Sequence, residues 1–491
     1  MSHLDKPSHD SNQPQSFNRL KMPTSKPTAG NESQQPKQSI ADMESPPVVG
    51  QPMALVDRVV NLLDPAGNIF IGTSFDDARI AVRSGNVDAI RRIGGQFAIL
   101  EQSGKTLRMA RSIGRPMRYF LAKRAEGPAL IVAERMDEIA EQLEKEGLID
   151  QFRPAYTRMV PAHHLLELQL VGCPDPNPKL HRFFAPQRNR LPAKIDEIGQ
   201  AYIGRLAESI DGWLETISPD EPIGVMFSGG VDSGAVLMVL DFLVRRRGQS
   251  PSRIKAFTLS VGPDSTDSQQ AAEFLKRVNR EMFLEVVTVP VSSVSWRDAV
   301  RVIEDYKPLD VQSATMGLAL LKEVRRRYPD WIHLIDGDGG DENLKDYPIE
   351  ENPELTVRSV LGNRMLYQEG WGVDAVKHSL TYSGGQSRGH VRTSAPATSL
   401  GFRGFSPFAV PDVIEVAEAI PFVELTDWDH EKLYDLKGQV VASGVRQITG
   451  AEMPAFPKQR FQRGAVDAKT FEAMFPTSDR EYRQAFSELF G

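Results

Sequence analysis

Residues 223–233 combine a short apolar run, a glycine-containing turn and the start of a helix, and no other segment constrains the fold as strongly. The first five residues are predicted to form a buried strand, and an apolar helical pattern follows Ser233 at once. Gly229 and Gly230 lie at the junction. Because glycine lets the backbone approach an anion and a helix start offers unpaired N–H groups, the segment predicts a phosphate-binding loop.

The side chains of this phosphate loop, residues 228–233, suit a nucleotide. Ser228 and Ser233 supply hydroxyls, and Asp232 supplies a carboxylate for a magnesium ion. The loop has no lysine, so it differs from the Gly-x-x-x-x-Gly-Lys-Ser/Thr loop of the common nucleoside triphosphatases. A bare Ser-Gly-Gly also occurs in ordinary turns. The succession of strand, loop, aspartate and helix favours a nucleotide site.

A second polar segment, the acid loop, follows a predicted strand at 331–335. It spans residues 336–342 and reads Asp-Gly-Asp-Gly-Gly-Asp-Glu. Ligands bind at the carboxyl ends of the strands of a parallel sheet, so these acids should reach the same edge as the phosphate loop. Magnesium prefers such oxygen ligands and bridges substrate phosphates. Alone, the segment would be interpreted as a solvated acidic turn; the phosphate loop on the same sheet reverses that preference.

Length and composition limit the number of domains, the kinds of partner and the cellular location. The chain has 491 residues, which predicts two or three domains, and its 40% hydrophobic and 25% charged residues are ordinary for a soluble protein. A net charge of −7 argues against a nucleic-acid partner. The sequence has neither an apolar run of membrane-spanning length nor the apolar core of a signal peptide, so we expect a cytoplasmic location and no membrane partner. The lone cysteine, Cys173, excludes an intramolecular disulfide.

Four segments are predicted along the chain. Residues 1–52, rich in Ser, Pro, Gln and Asn, are predicted to be a disordered tail. Residues 53–186 predict a small α+β domain, with strands at 68–72, 95–100, 106–110 and 129–133. Residues 187–466 predict a parallel sheet with helices on both faces, followed by a largely helical part. Residues 467–491 are predicted to be a loose helical tail. The expected fold class is α/β, preceded by a smaller α+β domain.

The strand–helix alternation of the third segment carries the prediction of a parallel sheet. Its predicted elements are helix 193–217, strand 223–227, helix 233–246, strand 255–261, helix 268–279, strand 283–290, helices 297–304 and 314–327, and strand 331–335.

Together the two loops resemble those of a known enzyme family. Residues 228–233 are similar to the Ser-Gly-Gly-x-Asp-Ser loop of the ATP pyrophosphatases. With residues 336–342, they resemble the synthetase domain of the asparagine synthetases and of the related β-lactam synthetases, carbapenam synthetases and lasso-peptide cyclases. Residues 406–408 and 457–464 are similar to the Pro-Phe and the late Lys…Phe…Gly segments of that family. The resemblance covers about 190–466.

The resemblance implies a reaction and a set of residue roles. A substrate carboxylate attacks the α-phosphorus of ATP, and ammonia or an amine then displaces AMP from the acyl-adenylate. The implied cofactors are ATP and Mg²⁺. The implied nucleotide-binding residues are Ser228, Gly229, Gly230, Asp232, Ser233, Leu259, Ser260, Gly337 and Gly339; the implied metal ligands are Asp232 and Asp341; and the implied catalytic residues are Lys458, Asp338 and Tyr347.

The first half also resembles, more weakly, the glutamine amidotransferase domain that precedes these synthetases. The similar segments are residues 94–98, 110–119 and 160–164. That glutaminase requires a cysteine at the mature N-terminus, whose thiol attacks glutamine. This sequence starts Met1-Ser2 and carries its cysteine at position 173. We therefore expect a degenerate amidotransferase-like domain without glutaminase activity.

Asp338 departs from the family pattern, since asparagine synthetases usually carry Glu there and the β-lactam formers carry Tyr. Its shorter side chain suits a different acceptor position, so the leading hypothesis is an AMP-forming ligase that tailors a metabolite or peptide. Its partners are a carboxylate substrate and an amine or ammonia, with a homodimer as the candidate assembly. The alternatives are asparagine synthesis from aspartate, a non-catalytic nucleotide-binding partner protein, and a tRNA-modifying pyrophosphatase. The last usually brings a basic RNA-binding domain, which is absent here.

Overall fold

The computed structural model describes residues 56, 58–170, 178–262, 265–347, 349, 356–362, 388–456 and 464–491. The tail predicted for residues 1–52, Cys173 and Lys458 lie outside these ranges. The described part of the chain contains no helix that is both long enough and apolar enough to cross a bilayer.

Residues 58–182 form two four-stranded sheets and a separate strand pair, with three helices beside them. The strands are β1 (Arg58–Asn61), β2 (Ile69–Ile71), β3 (Gly94–Gln96), β4 (Ala98–Ser103), β5 (Thr106–Arg111), β6 (Arg118–Ala122), β7 (Ala129–Ala133), β8 (Arg158–Met159), β9 (His164–Gln169) and β10 (Lys179–Arg182). The helices are α1 (Phe75–Ser84), α2 (Val87–Arg91) and α3 (Met136–Lys145). The strand orders are β1-β7-β6-β8 and β10-β9-β5-β4, and every pairing except β1 with β7 is antiparallel.

The rest of the chain is built on a five-stranded sheet. Its elements are α4 (Ile195–Leu214), β11 (Ile223–Met226), α5 (Val231–Arg246), β12 (Ile254–Val261), α6 (Thr266–Arg277), β13 (Leu284–Val289), α7 (Trp296–Ile303), α8 (Pro308–Arg327), β14 (His333–Ile335), α9 (Gly340–Asn343), α10 (Val357–Gly362), α11 (Arg388–Ser399), β15 (Arg403–Phe405), α12 (Pro411–Glu418), α13 (Phe422–Thr426), α14 (His430–Thr449), α15 (Ala468–Met474) and α16 (Asp479–Phe490). The sheet has the order β13-β12-β11-β14-β15, and all four pairings are parallel. The predicted α/β class with a parallel sheet is confirmed.

Two elements of this part of the chain, α8 and β15, depart from the prediction for local reasons. Helix α8 begins at Pro308, six residues before the predicted start, because proline fits the first turn of a helix, where its missing N–H costs nothing. Strand β15 was not predicted at all. It consists of Arg403, Gly404 and Phe405, which lack the pattern of a strand, and its pairing with β14 is what orders it.

The main core lies where α4, α5 and α14 pack beside the parallel sheet. It contains Tyr202 and Trp213 of α4, both almost fully buried, and the apolar residues of β11. Helices α4 and α14 approach closely at Gly199 and Gly444. A Cβ on Gly199 would lie 2.6 Å from the Val440 carbonyl oxygen. This close approach fixes α14 against the sheet half of the molecule.

A second core joins the two halves of the molecule, which are the first half at residues 58–182 and the parallel-sheet half from α4 onward. Residues 52–491 form one compact unit. This second core contains Phe120 of β6, Val300 of α7 and Phe486 of α16. The C-terminal helices therefore correct the prediction of a loose tail: α16 buries apolar side chains in a core that it shares with both halves. Beside this core, Arg118 Nε lies 2.9 Å from Glu304 Oε2, and both side chains are almost fully buried.

Candidate functional site

The phosphate loop, between β11 and α5, has the shape expected of an anion-binding loop. Gly229 has a φ of 74°, and a Cβ there would lie 2.8 Å from backbone atoms of Ala271, so the position requires glycine. The hydroxyl oxygens of Ser228 and Ser233 lie 3.3 Å apart, and the Ser228 hydroxyl accepts the N–H of Gly230 at 3.3 Å. Helix α5 begins directly after Gly230, so a helix N-terminus adds its N–H groups.

The acid loop follows β14 and lies directly against the phosphate loop. A Cβ on Gly337 would lie 2.8 Å from the backbone nitrogen of Ser233, and a Cβ on Gly340 would lie 2.2 Å from Asp232 Oδ1. Gly339 has a φ of 98°, which favours glycine. The structure thus brings the two predicted loops together at the carboxyl edge of the sheet.

Lys437, on α14, contacts carboxylates from both loops. Its Nζ lies 2.5 Å from Asp232 Oδ2, contacts Asp341 Oδ1, and lies 3.2 Å from Asp346 Oδ2. Burial lowers the pKa of Lys437, but the carboxylates of Asp232, Asp341 and Asp346 outweigh it and hold that pKa well above its ordinary value. Carboxylates from separate elements therefore converge on one ammonium group.

Lys437 was not predicted as a site residue, although the sequence contains a signal for it. The residue is only 5% exposed and lies on the buried face of α14 with Leu433, Leu436, Val440 and Val441. Lysine is almost never fully buried without a partner. A lysine at an apolar position of an amphipathic helix therefore indicates buried carboxylates nearby.

The first two acids of the acid loop differ in environment from Asp341. Burial raises the pKa of Asp336 to about 7. Burial, together with the neighbouring Asp336 carboxylate, raises the pKa of Asp338 well above its ordinary value. The positive charge of Arg392, on α11, lowers the pKa of Asp338 by a smaller amount. The Nε of Arg392 donates to Asp310 Oδ1 at 2.9 Å. This end of the loop therefore carries less negative charge than its sequence suggests.

Two of the predicted nucleotide-binding residues, Leu259 and Ser260, belong to β12, the neighbour of the strand that leads into the phosphate loop. The last pairing of β11 with β12 joins Met226 to Phe257, so Leu259 and Ser260 extend past the end of β11 on that side. Both are buried, and they pair with β13 on the other side. The Ser265 hydroxyl donates to the Leu259 carbonyl at 3.3 Å.

The three predicted catalytic residues have different outcomes. Asp338 lies in the acid loop, three residues before Asp341. Tyr347 is half-buried and packs against the main core, directly after Asp346. Lys458 lies outside the described residues, so its placement stays a prediction.

Asp232 and Asp341 fit a magnesium ion that is bound together with a nucleotide. Among the residues that the structure describes, no group of three or more His, Cys, Asp and Glu could hold a metal by itself. Magnesium does not need such a group, because it keeps several waters and uses one or two carboxylates with substrate phosphates. The two aspartates reach a common point, the Nζ of Lys437, from separate loops.

Comparison with known proteins agrees with this arrangement. The asparagine synthase family model matches residues 213–389, which include both loops. This part of the chain is asparagine synthetase-like. It is similar to asparagine synthetase B (glutamine-hydrolyzing) of Escherichia coli (strain K12), with 26% identity over 179 residues, 32% of this chain and 31% of that protein. The chain therefore spans about a third of the length of this relative.

The family match confirms the resemblance drawn from the two loops, but it has limits along the chain. It does not include the first half, helix α14 or residues 457–464. The amidotransferase-like interpretation of the first half and the role of Lys458 therefore stay predictions.

Proposed function

We propose that this chain is an ATP-dependent ligase that forms amides. It activates a carboxylate as an acyl-adenylate, with release of pyrophosphate, and transfers the acyl group to ammonia or an amine. The observation that carries the proposal is the convergence of Asp232 and Asp341 on Lys437 at the carboxyl edge of the parallel sheet. The similarity of residues 213–389 to the asparagine synthases supports it.

The residues of the phosphate loop would hold the departing pyrophosphate. The N–H groups of Gly229 and Gly230 and the hydroxyls of Ser228 and Ser233 are donors that suit its oxygens. Asp232 and Asp341 would hold magnesium, which neutralises charge that develops between the α- and β-phosphates.

Lys437 would keep the two metal-binding carboxylates in place before the nucleotide arrives. Its ammonium is fixed by α14, which packs closely on α4 at Gly199 and Gly444. Charges that are positioned before the reaction require no reorganisation during it. Lys458, by its resemblance to the family's late lysine, would stabilise the charge of the transition state.

We place the carboxylate and amine substrates at the Asp338 end of the acid loop. Asp338 is one methylene shorter than the Glu that is usual in asparagine synthetases, so its carboxyl group reaches less far and leaves more room. We therefore favour a metabolite or peptide over free aspartate as the substrate. The nitrogen would come from ammonia or an amine, without glutaminase activity of this chain.

The test measures the products of ATP. Purified protein is supplied with ATP, magnesium, ammonium and a panel of amino acids and dicarboxylates, and AMP and pyrophosphate should form in equal amounts. Asp232→Asn or Asp341→Asn should lower the rate by about 100-fold or more. Asp412→Asn, an exposed change outside the site, is the matched control. Formation of ADP and phosphate would refute the proposal, and efficient asparagine synthesis from aspartate would refute the substrate preference.

A further inference from the structure

We propose a second ligand site, for a small organic phosphate, in a cavity at the C-terminal end of α5. The cavity measures about 400 Å³, a size that suits a small molecule. Its walls combine an apolar part with cationic groups. The apolar part consists of Met238 and Phe242, and the cations are Arg245, Arg246 and Arg280.

Two of the three arginines of this cavity are held in place by a buried carboxylate. Asp241, which is 3% exposed, accepts the Nε–H of Arg245 at 2.7 Å and the Nε–H of Arg280 at 2.6 Å. Arg280 Nη1 also donates to the Asn279 carbonyl at 3.0 Å. Because both guanidinium groups are anchored through Nε, their orientation is fixed. In the described part of the chain, neither terminal nitrogen of Arg245 has a protein partner, and neither has Nη2 of Arg280.

The charge balance at the cavity favours an anion. Three guanidinium groups and one carboxylate line it, although the chain as a whole has a net charge of −7. One of the three, Arg246, also donates from Nη2 to Asp211 Oδ2 at 3.0 Å, so Arg245 and Arg280 supply most of the excess positive charge. Arginines at the end of α5 also complement the helix dipole, which is an ordinary structural role. That role does not explain Arg280, which comes from the turn after α6 and shares Asp241 with Arg245. Guanidinium groups from two elements converge as they would around a phosphate.

The apolar wall indicates what else the ligand carries. Phe242 lies under the guanidinium of Arg246, with 5.6 Å between the Arg246 Cζ and the ring centroid. A phosphate bound by the arginines would place an attached apolar group near Phe242 and Met238. A phosphate ester with an aromatic or aliphatic part fits both surfaces better than inorganic phosphate does.

This cavity is separate from the proposed nucleotide site. The phosphate loop precedes the first residue of α5, and the cavity lies at the last turns of the same helix. The helix has 16 residues, so its ends lie about 24 Å apart. The two ligands could therefore be bound at the same time.

The test is a calorimetric titration of the full chain with phenyl phosphate at constant ionic strength. Arg245→Gln should weaken binding by about tenfold or more, because it removes a charge-assisted contact. Arg247→Gln is the matched control: it removes the same charge at the same helix end, but Arg247 does not line the cavity and pairs with Asp211 and Glu215. In that variant Asp211 keeps its bond from Arg246. It should leave the affinity unchanged. Arg246→Gln provides a second cavity variant that keeps both Asp241 contacts.

Two further titrations distinguish binding in this cavity from nonspecific anion binding and from binding at the nucleotide site. Inorganic phosphate should bind more weakly than phenyl phosphate, because it cannot use the apolar wall. Binding of phenyl phosphate should persist with excess MgATP. Absence of binding to the wild-type chain, equal weakening by Arg245→Gln and Arg247→Gln, or complete competition by MgATP would each overturn the proposal.

Discussion

Arg111 of the first half and Lys437 of the parallel-sheet half are both buried cations, but they have different kinds of partner. In the first half, Arg111 is fully buried, and its donors go to nearby backbone carbonyls, those of Val160, Ser112 and Arg115. Burial lowers the pKa of Arg111 to about 9. In the parallel-sheet half, the partners of Lys437 are the carboxylates of Asp232, Asp341 and Asp346, which lie at least about 90 residues away in the chain.

The kind of partner distinguishes a charged group that stabilises the fold from charged groups that could bind a ligand. Arg111 bonds to carbonyls within its own fold and so stabilises the connection between strands. Asp232, Asp341 and Lys437 meet at the end of a sheet, beside glycines whose backbone lies open to an anion. Convergence of this kind, from the phosphate loop, the acid loop and α14, is the pattern expected of a binding site.

The largest expected effect concerns Lys437. Lys437→Met leaves the carboxylates of Asp232, Asp341 and Asp346 without this buried ammonium, and the free energy of unfolding should fall by about 3–5 kcal/mol. Urea unfolding measures this. Added MgCl₂ should restore part of the loss, because Mg²⁺ can replace the missing cation. The control Lys432→Met, at an exposed position of the same helix, should change stability by less than about 0.5 kcal/mol. Equal effects of the two variants would contradict the assigned contacts.

A glycine variant tests the contact between the two loops. Gly340→Ala introduces a Cβ at 2.2 Å from Asp232 Oδ1, so the Asp232 carboxylate must move. A small displacement of this kind should lower the rate of AMP formation by about 100-fold. Gly362→Ala, where a Cβ meets nothing within 4 Å, is the control. Full activity of Gly340→Ala would show that the position of Asp232 is not critical.

Asp267 is a buried acid of the parallel-sheet half that, unlike Asp232 and Asp341, has no cation beside it within the described ranges to favour its charged form. Burial raises the pKa of Asp267 to about 7, above its unfolded value of about 3.9. Folding therefore takes up a proton, so the stability contribution is complete below about pH 4 and is lost as pH rises through about 7. Asp267→Asn stays neutral, and at about pH 8 its melting temperature should exceed that of the wild type by at least about 2 °C.

The same two proteins at about pH 5 provide the control for Asp267. The difference in melting temperature should be smaller there, because the wild-type carboxyl group is mostly protonated. A difference that does not depend on pH would mean that Asp267 is charged in the folded protein at both pH values.

The smallest expected effect concerns the first half. If this half is a scaffold without glutaminase activity, the protein should form no glutamate from glutamine, and Cys173→Ala should leave AMP formation unchanged. A coupled glutamate assay measures the first outcome. Glutamate formed at the same rate as AMP would show that the first half is an active glutaminase and not only a scaffold.

The phosphate loop and the acid loop could be predicted from the sequence, because the same short segments contain both the polar residues and the glycines that their backbone conformation requires. Gly229 and Gly339 have positive φ angles, and their loops follow apolar strands, so local patterns were sufficient. Strand β15 could not be predicted, because only its pairing with β14 orders Arg403, Gly404 and Phe405. Lys437 was missed because its partners lie far away in sequence. The first-half strands β1, β6, β8, β9 and β10 were also missed, and most of them are short or have buried residues on both faces.

Helix α16 has a consequence for the biosynthesis of the chain. Tyr482, Phe486 and Phe490 complete a core whose other members include Phe120 and Ile131, which are synthesised much earlier. Until α16 has been synthesised, Phe120 and Ile131 lack some of the side chains that bury them in the folded protein. Contacts that join distant parts of a chain form slowly. A nascent chain of this protein should therefore expose apolar surface throughout its elongation, and loss of α16 should leave both halves prone to aggregate.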